Sequence, residues 1–301
     1  MSWEDKFRSW SQPPSQTEQD KCDNAERAIK RAIRDDKTLS KLDIRVFAQG
    51  SYRARTNIRL DSDVDICVCL QEPFFSQYPT GKTREDLGLI AASMTFQEFK
   101  QLVETALINE FGGASVTRGN KAFDVHKNTY RIDADVVAAL AYRRYYNQAN
   151  RYGTYDYIIP TGVNFLPDDG GSVINWPEQT YTKGVEKNDR TGKRYKGMIR
   201  ILKRLRNEMQ DAKIKEAGDI ASFLVESLVW NAPDESFGHD KLSNDVRDVL
   251  AYCFNHTLDD TKCKEWGEVS ELKYLFRASQ PWTRQQAHSF LSAVWDYIGF
   301  E

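Results

Sequence analysis

The stretch between residues 44 and 65 limits the possible folds of this chain more than any other part of its sequence. The run IRVFAQGS (44–51) is rich in β-formers and ends in a Gly-Ser pair, so it predicts a short strand followed by a turn. The run DVDICVCL (63–70) predicts a second strand. Because side chains alternate across a strand, Asp63 and Asp65 lie on the same face. The chain must therefore form a β-sheet that carries two neighbouring acids at the start of one strand.

Two adjacent carboxylates repel each other and contribute nothing to packing. A divalent cation relieves that repulsion, and Mg²⁺ binds carboxylates together with substrate phosphate oxygens. The plainer alternative is an exposed strand end at which Asp63 and Asp65 are simply solvated. The turn at Gly50 and Ser51 favours a metal site, because glycine lets phosphate groups approach the backbone N–H donors that open a short helix.

A third carboxylate is expected from a later strand. The run YRIDADVVAAL (130–140) carries Asp133 and Asp135 at alternate positions, so both lie on one face. An ionised acid just before an apolar run is costly to bury unless it is paired or binds a metal. One of the two is expected to be a solubilising charge at the sheet edge, and Asp133 fits that role better.

These residues carry a resemblance to a known family. The pattern of Gly50-Ser51, Asp63-Val-Asp65 and a later strand with Asp135 resembles the polymerase-beta nucleotidyltransferase superfamily. More narrowly, QGSYRARTNIRLDSDVDICV (49–68) is similar to the bacterial cyclic-oligonucleotide synthases related to cyclic GMP–AMP synthase and oligoadenylate synthetase. The resemblance implies that Asp63, Asp65 and Asp135 are the catalytic metal ligands. They would hold two Mg²⁺ ions, with Mn²⁺ as an alternative and Asp133 as the second choice of ligand.

A basic helix is predicted further along the chain. In KGMIRILKRLRNEM (196–209), helical spacing places Lys196, Arg200 and Lys203 on one face, opposite an apolar face. On its own, a solvated basic face explains this pattern. The family resemblance implies instead that Lys203, and secondarily Lys196, bind the triphosphate of a nucleotide.

A Ser-Phe pair follows this helix. Ser222 and Phe223 are similar to a Ser-Tyr pair in the family, in which the serine touches the triphosphate and the aromatic ring stacks on a base. The resemblance therefore implies nucleotide binding by both residues. Phenylalanine keeps the ring face but lacks the hydroxyl, and ordinary core packing is an equal alternative for Phe223.

The rest of the sequence predicts an α+β fold with two lobes. A mixed β-sheet lobe with an N-terminal helix, the nucleotidyltransferase lobe, is expected over residues 1–160, and a mostly helical lobe over residues 161–301. The resemblance places the active site in a cleft between the lobes. The expected strands are 44–51, 63–70, 120–126 and 130–142; the expected helices are 17–35, 95–111, 195–210, 219–230, 241–256 and 283–298; the expected loops are 11–16, 71–90 and 150–190.

Bulk composition excludes several classes of protein. With 42 basic and 44 acidic residues the net charge is −2, which does not fit a protein that coats long nucleic acids. The longest apolar run, 136–142, is too short for a membrane span, and the N-terminus has no signal-peptide core. Five scattered cysteines indicate free thiols in a cytoplasmic protein. A zinc site is a minor alternative, formed by His239, Cys253, His256 and Cys263.

Taken together, the residues and the resemblance predict a monomeric enzyme that uses nucleoside triphosphates. A ribose hydroxyl attacks an α-phosphate, pyrophosphate leaves, and a second round closes a cyclic di- or trinucleotide. By family analogy this product is a second messenger in anti-phage signalling and acts on a downstream effector. The alternatives are nucleotidyl transfer to an RNA 3′ end or a protein hydroxyl, and an inactive nucleotide-binding scaffold.

Overall fold

The computed structural model describes residues 2–58 and 63–300. The chain divides into two compact units. The α/β unit comprises Ser15–Arg53 and Arg59–Glu178, and the helical unit comprises Met1–Pro14, Ala54–Ile58 and Gln179–Glu301. This division differs from the expected one at residue 160, because the boundary follows Glu178 and the start of the chain belongs to the helical unit.

The α/β unit contains one mixed β-sheet. Its strands are β1 (Ile44–Ala48), β2 (Val64–Gln77), β3 (Val116–Arg118), β4 (Phe123–Val125), β5 (Ala134–Arg144), β6 (Gly162–Phe165) and β7 (Val173–Asn175). They are ordered β1-β2-β5-β4-β3, and β6 pairs with β5 and β7. β2 and β5 are parallel, whereas β1 pairs with β2, and β4 with β5, in antiparallel fashion. All four predicted strands are therefore confirmed.

The second strand is longer than predicted. The segment after residue 70 was expected to be a loop because it contains Pro73, but β2 continues to Gln77. Pairing with β5 shifts register between Leu70 and Phe75, and Pro73 lies in that irregular stretch. Because no regular ladder bond is required there, the missing N–H of proline costs little and the strand can resume.

Three helices belong to the α/β unit, wholly or for most of their length. They are α2 (Gln16–Asp35), α3 (Gly50–Ala54) and α4 (Phe96–Phe111). The predicted capping box of Thr95 with Glu98 opens α4, and Ser15 with Glu18 opens α2 in the same way. The apolar faces of α2 and α4 share one hydrophobic core with β2 and β5. This core fixes the strands that carry the acids.

The helical unit has its own hydrophobic core. Its helices are α1 (Trp3–Trp10), α5 (Pro177–Arg190), α6 (Arg194–Asp211), α7 (Ser222–Asn231), α8 (Leu242–Thr257), α9 (Asp260–Cys263) and α10 (Arg284–Ile298), with the first two residues of α5 in the α/β unit. The four helices predicted after residue 190 are confirmed, including the capping box of Thr283 with Gln286. No helix within residues 2–58 and 63–300 is both long and apolar enough to cross a membrane.

The predicted loop over 150–190 is partly wrong. It contains β6, β7 and the long helix α5. The two strands have four and three residues, which is too short for an alternating pattern to stand out. Helix α5 consists mostly of polar and charged residues, and its buried positions are Gly184 and Lys187 rather than a run of large apolar residues. It therefore lacks the apolar stripe by which a core-facing helix is usually predicted.

Candidate active site

Three carboxylates form a row across three adjacent strands of the sheet. Asp65 of β2 is the register partner of Asp135 of β5, and Asp135 is also the partner of Asp124 of β4. Directly paired residues on neighbouring strands point to the same face of a sheet. The sheet therefore brings the predicted ligands Asp65 and Asp135 side by side and adds a third acid that was not predicted.

The other two acids continue this face at the start of the strands. The amide of Val64 donates to the carbonyl of Asp133 at 3.0 Å, so the residues preceding β2 and β5 are also neighbours. Asp63 is exposed. The carboxylate of Asp133 is already engaged, because its Oδ1 accepts from the amide of Lys127 at 2.8 Å. This contact favours Asp135 over Asp133 as the third ligand.

Gly50 lies directly against this row of acids. The amide of Gln49 donates to the carbonyl of Asp65 at 2.8 Å, which holds the turn beside β2. Gly50 has φ of +66°, and a Cβ built on it would lie 2.2 Å from Oδ2 of Asp65. A side chain would be strained by that backbone angle and would also collide with the carboxylate. Glycine is therefore required at this position. Residues 59–62 of the family motif lie outside the described residues.

The acids raise one another's pKa. Burial raises the pKa of Asp135 to about 7, helped by a hydrogen bond with Asp124 and by the charges of Asp63 and Asp65. Asp63 is exposed but partly desolvated by its neighbours, and this desolvation, together with the charges of Asp133 and Asp124, raises its pKa. Negative charge is thus concentrated at one point of the sheet.

The donor set suits a hard divalent cation. Carboxylate oxygens are the ligands that Mg²⁺ takes from proteins, and phosphate oxygens complete its coordination. Within residues 2–58 and 63–300, no group of three His, Cys, Asp or Glu side chains is already close enough to enclose an ion. The register pairing sets Asp65 and Asp135 on neighbouring strands, where their carboxylates would hold such a cation.

Lys203 is buried and already paired. Only 2% of its surface is exposed. Its Nζ forms an ion pair with Glu226 and donates to the carbonyl of Thr56 at 3.2 Å. The hydroxyl of Thr56 donates to the same carboxylate at 2.8 Å. The predicted binding of a triphosphate by Lys203 stays a prediction, and it requires the lysine to exchange this partner.

Ser51 lies next to Gly50 in α3 of the α/β unit, whereas the other three predicted nucleotide ligands lie in the helical unit. Ser222 is exposed, and its Oγ accepts from Arg206 at 2.9 Å. Phe223 is half-buried against the hydrophobic core, with its ring centroid 6.4 Å from that of Trp282. Part of its role is therefore packing. Lys196 is half-buried and lines a basic cavity of the helical unit.

The alternative zinc ligands are not gathered. The ring of His239 contacts Asp245 at 2.8 Å, and Nδ1 of His256 lies 2.8 Å from the carbonyl of Tyr252. Each cysteine thiol contacts a backbone carbonyl instead: Cys253 that of Leu228, and Cys263 that of Asp259. All five cysteines are free, as predicted, and all are buried.

Asp124 is the residue of this site that sequence reasoning missed. It lies in β4, a strand of three residues whose other members, Phe123 and Val125, are fully buried. An acid between two apolar residues was the available signal. It was overlooked because nothing in the sequence showed that this short strand pairs with β5.

Known proteins resemble this chain over nearly its whole length. Residues 182–299 match the model of the cGAS/DncV-like nucleotidyltransferase C-terminal helical domain. The chain is 45% identical to a Legionella pneumophila protein named cyclic dipyrimidine nucleotide synthase CdnE, across 99% of this chain and 98% of the relative. A protein of the same name from Cecembia lonarensis is 39% identical, across 99% of this chain and 98% of that relative.

Solved structures show the same fold. The Elizabethkingia meningoseptica CdnE cyclic dinucleotide synthase with GTP and Apcpp has a TM-score of 0.80 and 32% identity, covering 99% of each chain. The Rhodothermus marinus CdnE c-UMP-AMP synthase with Apcpp and Upnpp has a TM-score of 0.85 and 28% identity, covering 99% of this chain and 97% of the other. The resemblance seen in the motif is thereby confirmed over the full length. The chain belongs to the cGAS/DncV-like nucleotidyltransferase family.

Proposed function

We propose that this protein joins two nucleoside triphosphates into a cyclic dinucleotide, with Asp63, Asp65 and Asp135 as the ligands of Mg²⁺. The observation that carries the proposal is the register pairing of Asp65 with Asp135 beside the turn at Gly50. It sets oxygen ligands next to a backbone that a phosphate group can approach closely. Full-length relatives named as cyclic nucleotide synthases support the cyclic product.

Each part of the site has a role that its chemistry suits. The three aspartates hold the cation, which would neutralise charge on the phosphates and favour ionisation of the attacking hydroxyl. The backbone at Gly50 and Ser51 orients the phosphate chain. With donor and acceptor held in place, most of the rate enhancement comes from positioning and charge neutralisation.

Asp124 has a supporting role in this proposal. It shares a hydrogen bond with Asp135 and raises the pKa of that carboxyl. Because this hydrogen bond needs a proton on one of the two carboxyls, it orients Asp135 before a cation binds, and the charge of Asp124 then adds to the negative potential that attracts the cation. We assign Asp124 as a positioning residue rather than a ligand.

Pyrimidine nucleoside triphosphates are the proposed substrates. The two full-length relatives at 45% and 39% identity are both named cyclic dipyrimidine nucleotide synthases. A full-length relative from Elizabethkingia meningoseptica, named cyclic dipurine nucleotide synthase, is 33% identical. The greater similarity to the pyrimidine enzymes favours UTP and CTP over ATP and GTP.

The product test uses labelled triphosphates one at a time and in pairs, with Mg²⁺, followed by phosphatase. A cyclic product has no terminal phosphate, so it survives phosphatase and its mass identifies both bases. We expect phosphatase-resistant cyclic dinucleotides containing uridine or cytidine. Linear products that phosphatase shortens would contradict ring closure, and exclusive use of ATP and GTP would contradict the assignment of substrates.

A further inference from the structure

The helical unit contains a basic cavity whose charges are only partly neutralised. Its volume is about 700 Å³, which is within the usual range for small-molecule sites. It lies where the segment after α1 meets the end of α5 and the start of α6. Its charged lining consists of Arg8, Arg55, Lys193, Arg194, Lys196 and Arg200, with Asp189 as the acidic member.

Three of these cations have carboxylate partners. Arg8 pairs with Glu4 at 2.9 Å, and Lys193 pairs with Asp189. Arg194 lies 3.7 Å from a carboxylate oxygen of Asp245.

The remaining three cations are Arg55, Lys196 and Arg200. Within residues 2–58 and 63–300, none of them forms an ion pair with a carboxylate. Arg200 is 6% exposed and donates to the backbone carbonyls of Ser11 and Arg55, which hold its guanidinium in place but carry no net charge. The Nζ of Lys196 lies 5.7 Å from the ring centroid of Tyr181. The cavity thus retains about three uncompensated positive charges.

The local electrostatics favour an anion in this cavity. Burial, followed by the charges of Arg200 and Arg55, lowers the pKa of Lys196. Burial also lowers the pKa of Arg200 to about 10. The first turn of α6 has no acidic residue, so the positive end of the helix dipole adds to the same field. The net charge of the whole chain is −2, so this cluster is local.

We propose that this cavity binds a small phosphorylated molecule with two or three linked phosphates, through Arg55, Lys196 and Arg200. Guanidinium and ammonium groups are the usual partners of phosphate oxygens. The volume of the cavity fits a molecule of nucleotide size, whereas a long nucleic acid would need an extended basic stripe. None of the three proposed metal ligands lines this cavity. The proposal does not depend on the proposed catalytic activity.

Inorganic tripolyphosphate in EDTA is the probe, because no metal is then available to the aspartates. Gln12 lines the cavity and is exposed, whereas all five native cysteines are buried. Gln12→Cys therefore introduces an accessible thiol at the site. We expect tripolyphosphate to slow the reaction of this thiol with a maleimide in a concentration-dependent manner.

Variants in the Gln12→Cys background test the assignment of residues. Arg55→Gln with Lys196→Gln should raise the half-protecting concentration at least about tenfold. Lys262→Gln with Lys264→Gln removes two exposed charges of the same unit outside the cavity and should leave protection unchanged. Asp63→Asn with Asp65→Asn should also leave it unchanged. Circular dichroism melts check that each variant is folded.

Three results would overturn the proposal. One is the absence of protection at millimolar tripolyphosphate. Another is equal protection in the Arg55→Gln/Lys196→Gln protein. The third is loss of protection in the Asp63→Asn/Asp65→Asn protein, which would place the anion with the aspartates. The experiment measures protection of a thiol and not nucleotidyl transfer. Its result can therefore be interpreted even if the proposed catalytic function is wrong.

Discussion

Oδ2 of Asp65 lies so close to Gly50 that a Cβ added to the glycine would be 2.2 Å from it. The turn and the acid therefore occupy adjoining space, and neither can change size without moving the other. This contact links the sequence motif to the geometry of the site. Adding a single methyl group at residue 50 therefore tests the geometry of the site.

Gly50→Ala should lower product formation at least about 100-fold, because a shift of about 1 Å in a ligand has effects of that size. Gly88→Ala is the matched control. Its φ of +67° nearly equals the +66° of Gly50, but nothing lies within 4 Å of its added Cβ. Both variants should lose about 1 kcal/mol of stability from backbone strain. Equal activity of the two in a pyrophosphate-release assay would contradict the role given to Gly50.

Binding of Mg²⁺ should depend on pH through Asp135. Its pKa is raised to about 7, so the carboxyl is protonated below that pH and a cation must displace the proton. Apparent affinity should therefore fall as pH decreases, by up to about tenfold per unit, between about pH 8 and pH 6. Asp124→Asn removes a negative neighbour, and the dependence should shift to lower pH. Equal Mg²⁺ affinities at pH 6 and pH 8, measured by calorimetric titration, would contradict the proposed dependence on Asp135.

Lys203 and Glu226 form a buried ion pair whose structural role can be separated from catalysis. Glu226→Gln leaves the buried ammonium without its counter-charge and should destabilise the protein by about 3 kcal/mol. Lys203→Met with Glu226→Met removes both charges and should recover most of that loss. If Lys203 also binds the triphosphate, the double variant stays inactive although it is stable. Wild-type activity in the double variant would rule out that role; thermal melts and product assays report the two effects.

Lys100 and Asp168 should make the α/β unit sensitive to acid. Nζ of the buried Lys100 lies 2.7 Å from Oδ1 of Asp168, and hydrogen bonds from Arg118 and Lys100 hold the pKa of Asp168 well below its usual range. A lowered pKa means that this stabilisation is present above about pH 4 and is lost as the pH falls further. Asp168→Asn should cost on the order of 2 kcal/mol at neutral pH. In the Asp168→Asn protein, the free energy of unfolding measured with denaturant should fall less below about pH 4 than in the wild type. An equal fall in the two proteins would contradict the assignment.

Much of this architecture could be predicted from local sequence. Capping boxes marked the starts of α4 and α10, and apolar spacing marked α2 and α6, because these signals lie within one turn or one face of a helix. Asp63 and Asp65 could be paired on one face from alternation alone. Each of these features depends on residues close together in the chain.

Features set by pairing between distant segments could not be predicted in this way. The choice between Asp133 and Asp135 depends on the parallel register of β2 with β5 and on the contact of Asp133 with Lys127. The role of Asp124 depends on the pairing of a three-residue strand. Lys203 looked like one member of a basic face, and only its neighbours Thr56 and Glu226 show that it is buried.

The most direct test of the central assignment compares two acids of the same strand region. Asp135→Asn and Asp133→Asn make the same chemical change two residues apart, so pyrophosphate release from UTP with Mg²⁺ can be measured on matched, folded proteins. We predict that Asp135→Asn lowers the rate by at least about 1000-fold, as expected for a lost metal ligand, while Asp133→Asn retains most of it. An active Asp135→Asn protein, or an inactive Asp133→Asn protein beside it, would contradict the assignment of Asp135 as the third ligand.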